Sequence, residues 1–348
     1  MAGQGGGGAF VLFYLIFLLM LGLPIMTMEF AVGRASQKSP VKAYYALEKP
    51  GQKWHIHGYI TLIGCYLLMM FYTTVSGWML HYFYLTATGK FTGLDSDAVA
   101  SQFNTMLSQP QVMGFWMVII VIAGILVCSI GLQNGLEKVT KVMMISLLFI
   151  MVILAINSFF MDGAKEGLSF YLIPDFERMK EIGIIKTITG AMNQAFFTLS
   201  LGIGAMSIFG SYIGKERSLL GESLNIALLD TFVAITSGLI IFPACFTFHV
   251  DQTSGPGLIF ITLPNIFNHI PMGKLWGSLF FIFMSFAAFS TILAVFENII
   301  SCGMELTGWS RKKSSFINAI AIILLSVPCV LGYNLWSSDI FAVFGGAV

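Results

Sequence analysis

Long apolar runs dominate the pattern of hydrophobic and polar positions along the chain. A helix needs roughly 20 apolar residues to cross a hydrocarbon core of about 30 Å. Eight runs meet that length, at residues 10–32, 56–87, 112–131, 139–160, 188–212, 223–249, 275–305 and 315–332, and a further apolar segment starts at residue 338. The pattern predicts an all-α membrane protein in which residues 1–348 form a single transmembrane domain.

The charges between these runs predict the orientation of the chain. The 33–54 loop holds five basic residues against one acid, Glu48, and later loops carry Lys138, Arg217 and Arg311. The positive-inside rule places these loops in the cytoplasm, and the long loops 161–187 and 250–274 outside. We therefore expect a multi-pass protein of the cell membrane, which is the inner membrane in a Gram-negative cell.

The composition narrows the class of partner. Hydrophobic residues make up 57% of the chain and charged residues 10%, with a mean hydropathy of +0.84, whereas soluble domains carry about 25% charged residues. A net charge of +1 argues against nucleic acid as a partner, and the lipid bilayer is the expected surrounding. The five cysteines form no CxxC pair and are interpreted as small buried hydrophobes.

The 193–212 segment is apolar enough to enter a bilayer, but its middle is polar. Buried polar groups in hydrocarbon need partners, and glycines beside hydroxyls weaken a helix. An unwound helix frees backbone carbonyls and amides that can coordinate an ion or a small zwitterion. The residues that indicate such a break are Gln194, Thr198, Ser200, Gly202 and Gly204.

Two further polar residues lie inside apolar runs. Glu29 is interpreted either as an interfacial acid that snorkels or pairs with Arg34, or as an inward acid that satisfies the freed amides of a broken helix. Tyr72 lies in mid-span, where tyrosine is uncommon. It either forms an interhelical hydrogen bond or binds a substrate carboxylate through its hydroxyl.

Oxygen-bearing residues in two later runs indicate cation binding. Asp230 has no Lys or Arg after it in its span, so its partner is either a bound cation or water at the helix end. Ser290 and Thr291, with the carbonyl of Ala287 one turn earlier, offer the oxygen ligands that suit a hard ion such as Na⁺. Serine and threonine pairs in membrane helices also simply pack or bond back to carbonyls.

Four collinear motifs resemble the neurotransmitter:sodium symporters, and most closely their bacterial amino-acid-transporting branch. They are Gly6-Gly-Gly-Ala-Phe10, the run from Pro24 through Glu29 to Arg34, the 193–204 segment, and Gly255-Pro-Gly-Leu258 with Thr262-Leu-Pro264. The resemblance covers essentially the whole chain. It implies a leucine-transporter-like bundle of two five-helix inverted repeats, in which the first helix of each repeat is broken at the midplane.

The resemblance also assigns roles to single residues. It implies substrate contacts at Tyr72, Phe197, Thr198, Ser200, Ile203 and Thr291. It implies Na⁺ ligands at Thr198 and Asp230 for a first site and at Ala287, Ser290 and Thr291 for a second. It implies that the broken helix is supported by Glu29, Gln194, Gly202 and Gly204. It also implies that Asp339 corresponds to an acid of the outer gate.

The resemblance carries two further expectations. Asp230 aligns with an asparagine in many members of the family, and Ala234 aligns with a serine of the chloride-dependent members. Because Asp230 brings its own negative charge, we expect transport to depend on Na⁺ but not on chloride. The chain reaches Gly6 almost at once and stops at Val348. It is therefore expected to lack the family's first helix, with the arginine that would pair with Asp339, and most of helices ten to twelve.

The function that follows is sodium-coupled symport of an amino acid or a related small zwitterion by alternating access. The alternative is a truncated or degenerate transporter fragment without transport activity. An intramembrane enzyme is not expected, because the chain has no HExxH motif, no convincing GxSxG turn and no paired membrane aspartates.

Overall fold

The computed structural model describes residues 1–248, 256–269 and 271–337, without the side chains of residues 132–134 and 269. The described part contains no β-strand beyond an isolated bridge between Gly7 and Pro174, which confirms the all-α prediction. The helices are α1 (Gly8–Ser36), α2 (Pro40–Leu47), α3 (His55–Ala87), α4 (Ser96–Ser108), α5 (Pro110–Ile130), α6 (Lys138–Phe159), α7 (Ala164–Leu172), α8 (Phe176–Ile182), α9 (Ile184–Thr198), α10 (Ala205–Tyr212), α11 (Leu219–Thr247), α12 (Leu263–His269), α13 (Gly273–Thr307) and α14 (Arg311–Gly332).

Seven of these helices are long and apolar enough to cross a membrane: α1, α3, α5, α6, α11, α13 and α14. The apolar run at 188–212 is different, because it is divided between α9 and α10. π-Helical turns occur at Leu18–Gly22 within α1, at Leu132–Glu137 before α6 and at Leu258–Thr262 before α12. At 1.5 Å per residue, the 33 residues of α3 extend about 50 Å.

Short polar side chains define where several helices begin. Asp95, Asp175 and Ser218 each accept a hydrogen bond from the backbone N–H three residues later, at 2.8, 3.0 and 3.2 Å. Such caps satisfy one of the four N–H groups that a helix N-terminus leaves without partners. Pro40 and Pro110 occupy the first helical position of α2 and α5, where the missing N–H costs nothing.

The chain divides into two compact units, the first formed by Met1–His55 and Met151–Leu258 and the second by Ile56–Ile150 and Ile259–Val348. In the first unit α1 packs closely on α10 through two glycines. A Cβ on Gly33 would lie 1.9 Å from the carbonyl oxygen of Ser207, and one on Gly210 would lie 2.5 Å from that of Phe30. The lack of side chains at these positions lets the two backbones touch.

The core of the first unit is a cluster of buried apolar side chains. They come from α1, from α9 and α10, from the segment between those two helices and from α11. The members are Phe10, Tyr14, Leu18, Met26, Phe30, Ala191, Ala195, Leu199, Leu201, Ala205, Met206, Leu219 and Ala227. The segment that interrupts the 188–212 run is therefore anchored on both sides by burial of apolar area.

The second unit is built around α5, against which α13 and α14 pack. A Cβ on Gly124 would lie 2.8 Å from Cε2 of Phe296, so α5 and α13 are in close contact there. The fully buried Glu297 carboxylate pairs with the Arg311 guanidinium, and Arg311 Nε donates to the carbonyl oxygen of Cys128 at 2.7 Å. Arg311, the first residue of α14, thus contacts α13 through Glu297 and the end of α5 through Cys128. Removal of Arg311 would leave the charge of Glu297 buried without its counter-charge, which is costly.

Candidate functional site

The centre of the candidate site is the interruption between α9 and α10. The N–H of Ser200 donates to the carbonyl oxygen of Phe197 at 3.0 Å, and that of Leu201 donates to Phe196 at 3.1 Å, which closes the end of α9. Ser200, Gly202 and Gly204 then have φ values of 52°, 83° and 76°. Glycine adopts this left-handed region without cost, whereas a serine there is strained. Such strain is common at functional sites.

Glu29 on α1 holds the interrupted segment. Its Oε1 accepts a hydrogen bond from the backbone N–H of Gly202 at 2.7 Å, while Oε2 is buried and has no hydrogen-bond partner among the described residues. Arg34, the alternative partner considered from the sequence, instead donates to the carbonyl oxygen of Arg217 at 2.8 Å. The carboxylate therefore lies where an N–H freed by the helix break needs an acceptor.

Thr198 and Asp230 meet at the end of α9. The Thr198 hydroxyl donates to Oδ2 of Asp230 at 2.6 Å, although the two residues are 32 positions apart in the chain. Gln194 lies half-buried one turn before Thr198 on α9. The contact brings together the two residues that the resemblance assigns to the first Na⁺ site.

The structure adds two residues to this site that the sequence analysis did not select. The hydroxyls of Tyr14 on α1 and Thr231 on α11 are buried and have no hydrogen bond of normal geometry among the described residues. The Tyr14 hydroxyl lies near the side chains of Thr198, Thr231 and Asp230. The sequence around Tyr14 does not indicate that it lies near Asp230, because the neighbouring polar side chains come from two other helices, α9 and α11.

The oxygen atoms near Asp230 are of the kind that hard cations prefer. The set comprises one carboxylate and three hydroxyls, from Asp230, Thr198, Tyr14 and Thr231, all of which are oxygen groups. Oxygen ligands are the preference of alkali and alkaline-earth ions, whereas zinc and copper select nitrogen and sulfur. Within the described residues, no group of three or more His, Cys, Asp or Glu side chains could hold a metal ion.

The apolar and aromatic residues near the break differ in exposure. Phe197 is 59% exposed, and Ile203 is half-buried and packs against the core of the first unit. Leu199 is buried, and a Cβ on Gly22 of α1 would lie 2.8 Å from its Cδ1. The interruption thus turns Leu199 inward while it leaves the Phe197 ring accessible.

In the second unit, the residues assigned to the second Na⁺ site lie within the continuous helix α13. The Ser290 hydroxyl donates to the carbonyl oxygen of Ala287 at 2.8 Å. Tyr72 is half-buried on α3, and its side chain lies near that of Thr291. The back-bonding considered from the sequence therefore occurs at Ser290. Asp339 lies outside the described residues.

Comparisons with known proteins find similar sequences. A family model described as the sodium:neurotransmitter symporter family matches residues 1–105 and 97–344. The uncharacterized sodium-dependent transporter YhdH of Bacillus subtilis is 34% identical over 337 residues, which are 97% of this chain and 73% of YhdH. An uncharacterized sodium-dependent transporter of Haemophilus influenzae is 29% identical over 358 residues, covering 100% of this chain and 77% of that protein.

A solved structure shows the same fold. The crystal structure of MhsT in complex with L-phenylalanine superposes with a TM-score of 0.90 at 34% sequence identity, and the match covers 99% of this chain and 78% of MhsT. This similarity confirms the predicted leucine-transporter-like helix bundle.

Proposed function

Because this chain belongs to the sodium:neurotransmitter symporter family, we propose that it carries an amino acid or a related small zwitterion together with Na⁺. The family consists of transporters rather than enzymes, and the chain is a multi-pass protein of the cell membrane. The proposed mode is alternating access, in which Na⁺ binding orders the substrate site and the inward Na⁺ gradient drives uptake.

The observation that carries the proposal is the interrupted helix with its oxygen donors. Glu29 holds the freed N–H of Gly202, and the Thr198–Asp230 pair lies at the end of α9. Thr198 and Asp230 are the proposed ligands of the first Na⁺. For the second, we propose Ala287 through its carbonyl oxygen and Ser290 and Thr291 through their hydroxyls.

The proposed substrate is an amino acid with an apolar or aromatic side chain. MhsT binds L-phenylalanine in its crystal structure, and Phe197 and Ile203 offer apolar surface beside the break. In the first unit, Phe197, Thr198, Ser200 and Ile203 are the proposed contacts. In the second unit, the proposed contacts are Tyr72 and Thr291, whose hydroxyls can donate to a carboxylate.

Chloride independence is part of the proposal. Asp230 supplies a fixed negative charge beside Thr198, and Ala234 has no hydroxyl to offer an anion. A bound chloride next to the ionised Asp230 would meet like-charge repulsion at short range. The carboxylate therefore supplies the negative charge that a bound chloride would otherwise bring.

Uptake into proteoliposomes tests the proposal. Radiolabelled L-phenylalanine is the first probe, with inward gradients of NaCl, sodium gluconate or KCl. We expect equal uptake from the two sodium salts and none above background from KCl. For Asp230→Asn, we expect loss of uptake from sodium gluconate. Uptake that needs chloride, or Asp230→Asn with full chloride-free uptake, would contradict the chloride claim, and uptake without Na⁺ would contradict coupling.

A further inference from the structure

The loop between α1 and α3, defined here as the basic loop (residues 37–54), is unusually rich in lysine. It contains Lys38, Lys42, Lys49 and Lys53, and its acid is Glu48. Lys38, Lys49 and Lys53 are exposed, and Lys42 is half-buried. None of the four forms an ion pair within the part of the chain that the structure describes.

Glu48, the acid of the basic loop, pairs with His55. Its carboxylate accepts the backbone N–H of His55 at 3.0 Å and lies 2.8 and 3.0 Å from Nδ1 of the ring, and its side chain is only 13% exposed. Desolvation by burial tends to raise the pKa of Glu48, but the hydrogen bonds and charge of His55 outweigh it and lower that pKa. The charge of Glu48 is thus already engaged, and the basic loop presents a positive surface.

The lysines are held on an ordered frame. The Tyr45 ring stacks on the His55 ring with centroids 4.5 Å apart and planes 11° apart, and the Lys42 ammonium lies 6.0 Å from the Tyr45 centroid. The N–H of Gln52 donates to the carbonyl oxygen of Lys49 at 3.0 Å, which closes a turn with Pro50 and Gly51 at its centre. Lys49 and Lys53 therefore flank a fixed turn.

The same segment exposes apolar and aromatic surface. The short helix α2 buries Pro40, Val41 and Ala43, but leaves Tyr45 and Leu47 45% exposed. Trp54 is 60% exposed immediately before α3. Aromatic side chains with one polar end are favoured at the boundary between hydrocarbon and headgroups. Because α1 and α3 are both candidate membrane spans, the segment that joins them lies at that boundary.

From this combination we infer that the basic loop binds the phosphodiester headgroup of an anionic glycerophospholipid, with Lys49 and Lys53 on the phosphate and Trp54 beside the acyl chains. Clusters of four or more basic residues next to a membrane span attract anionic lipid. A free phosphate would use the lysines but not the exposed aromatic surface, so a lipid fits the whole segment better. The proposal is independent of the transported substrate.

Quenching of Trp54 fluorescence by brominated lipids tests the inference. The emission of the full chain minus that of Trp54→Phe isolates Trp54 among the six tryptophans. Brominated phosphatidylglycerol and brominated phosphatidylcholine are titrated separately into the protein in detergent micelles. We expect phosphatidylglycerol to quench at a lower mole fraction. Neutralising two lysines in Lys49→Gln/Lys53→Gln should raise that mole fraction on the order of tenfold.

The matched control is Lys138→Gln/Lys141→Gln, which removes the same charge from another loop predicted to be cytoplasmic. It should leave the phosphatidylglycerol titration unchanged, and added salt should weaken the binding of the unmodified chain. Equal quenching by both lipids, or the same response from the two double variants, would overturn the proposal. Displacement of the lipid by inorganic phosphate, beyond the effect of sodium chloride at equal ionic strength, would show a phosphate site instead and also overturn it.

Discussion

The two proposed ion sites use the same kinds of atom in different structural settings. In the first unit, the helix is interrupted after Thr198, and the hydroxyl of Thr198 donates to the carboxylate of Asp230. In the second unit, α13 continues without a break, and the hydroxyl of Ser290 donates to the carbonyl oxygen of Ala287. One set of oxygens is thus gathered by a helix break and the other is engaged within a regular helix.

This difference has an energetic consequence. A cation that binds the Ala287 carbonyl must share that oxygen with the Ser290 hydroxyl, and a net hydrogen bond is worth about 1 kcal/mol. At the first site, the unfavourable features are already present in the folded protein before a cation binds. They are the left-handed backbone of Ser200 and the buried hydroxyls of Tyr14 and Thr231. We therefore expect the first site to depend strongly on its carboxylate and the second to tolerate the loss of one hydroxyl.

The largest effect is expected from Asp230→Ala. It removes the only carboxylate of the first oxygen set, and losing a charged ligand should raise the Na⁺ concentration for half-maximal amino acid binding by roughly 10- to 100-fold. The matched control is Ser237→Ala on the same helix, whose hydroxyl donates to Val233 at 2.8 Å. A sodium requirement that changes no more in Asp230→Ala than in Ser237→Ala would show that the first site lies elsewhere.

Glu29→Leu is expected to have the next largest effect. It removes the hydrogen bond between the Glu29 carboxylate and the N–H of Gly202. A hydrogen bond to a charged group is worth about 1.5–3 kcal/mol, so the uptake rate should fall roughly tenfold or more. Glu29→Gln keeps an acceptor oxygen in place and should retain most of the rate. If the two variants were equally impaired, the charge of Glu29 rather than its hydrogen bond to Gly202 would be what transport needs.

Ser290→Ala should have a smaller effect. The Ala287 carbonyl remains, so loss of one hydroxyl ligand is expected to raise the half-maximal Na⁺ concentration by a factor of roughly two to ten. Ser285→Ala is the control, because its hydroxyl makes the same kind of bond on α13, to Phe281 at 2.8 Å. If Ser290→Ala raised the half-maximal Na⁺ concentration as much as Asp230→Ala does, the two sites would not differ in their dependence on a single ligand.

The smallest effect concerns the strain at Ser200. Ser200→Gly relieves a left-handed serine and should be more stable than Ser200→Ala by about 1 kcal/mol, because alanine keeps the steric clash. The measurement is the midpoint of thermal unfolding in detergent for the two variants, which both lack the hydroxyl. Identical midpoints would mean that the backbone at this position is not strained.

The sequence predicted the features that depend on local composition. Glycines beside hydroxyls in an apolar run indicated the break near Gly202, and an acid without a basic partner in its span indicated a special role for Asp230. Partners on other helices were harder to find. Tyr14 is one of many aromatic residues in the apolar runs, and nothing in the sequence near it sets it apart. Arg311 is 14 positions from Glu297, which is beyond the spacing at which residues of one helix contact each other.

The choice between alternatives also needed the structure. The sequence allowed Glu29 to pair with Arg34, because the two lie five positions apart. Tertiary packing decides otherwise, since Gly33 brings α1 against α10 and the N–H of Gly202 comes within reach of Glu29. The spacing of residues near Glu29 does not predict its contact with Gly202, because Gly202 lies about 170 positions later in the chain.

Whether amino acid binding depends on Na⁺ at the first site is decided by binding of radiolabelled L-phenylalanine as a function of Na⁺ concentration. The purified chain in detergent is titrated with NaCl at constant ionic strength, with KCl as the replacement salt, beside Asp230→Ala. We expect binding that saturates with Na⁺, is absent in KCl and requires a much higher Na⁺ concentration in Asp230→Ala. Amino acid binding of equal affinity in NaCl and KCl would contradict it.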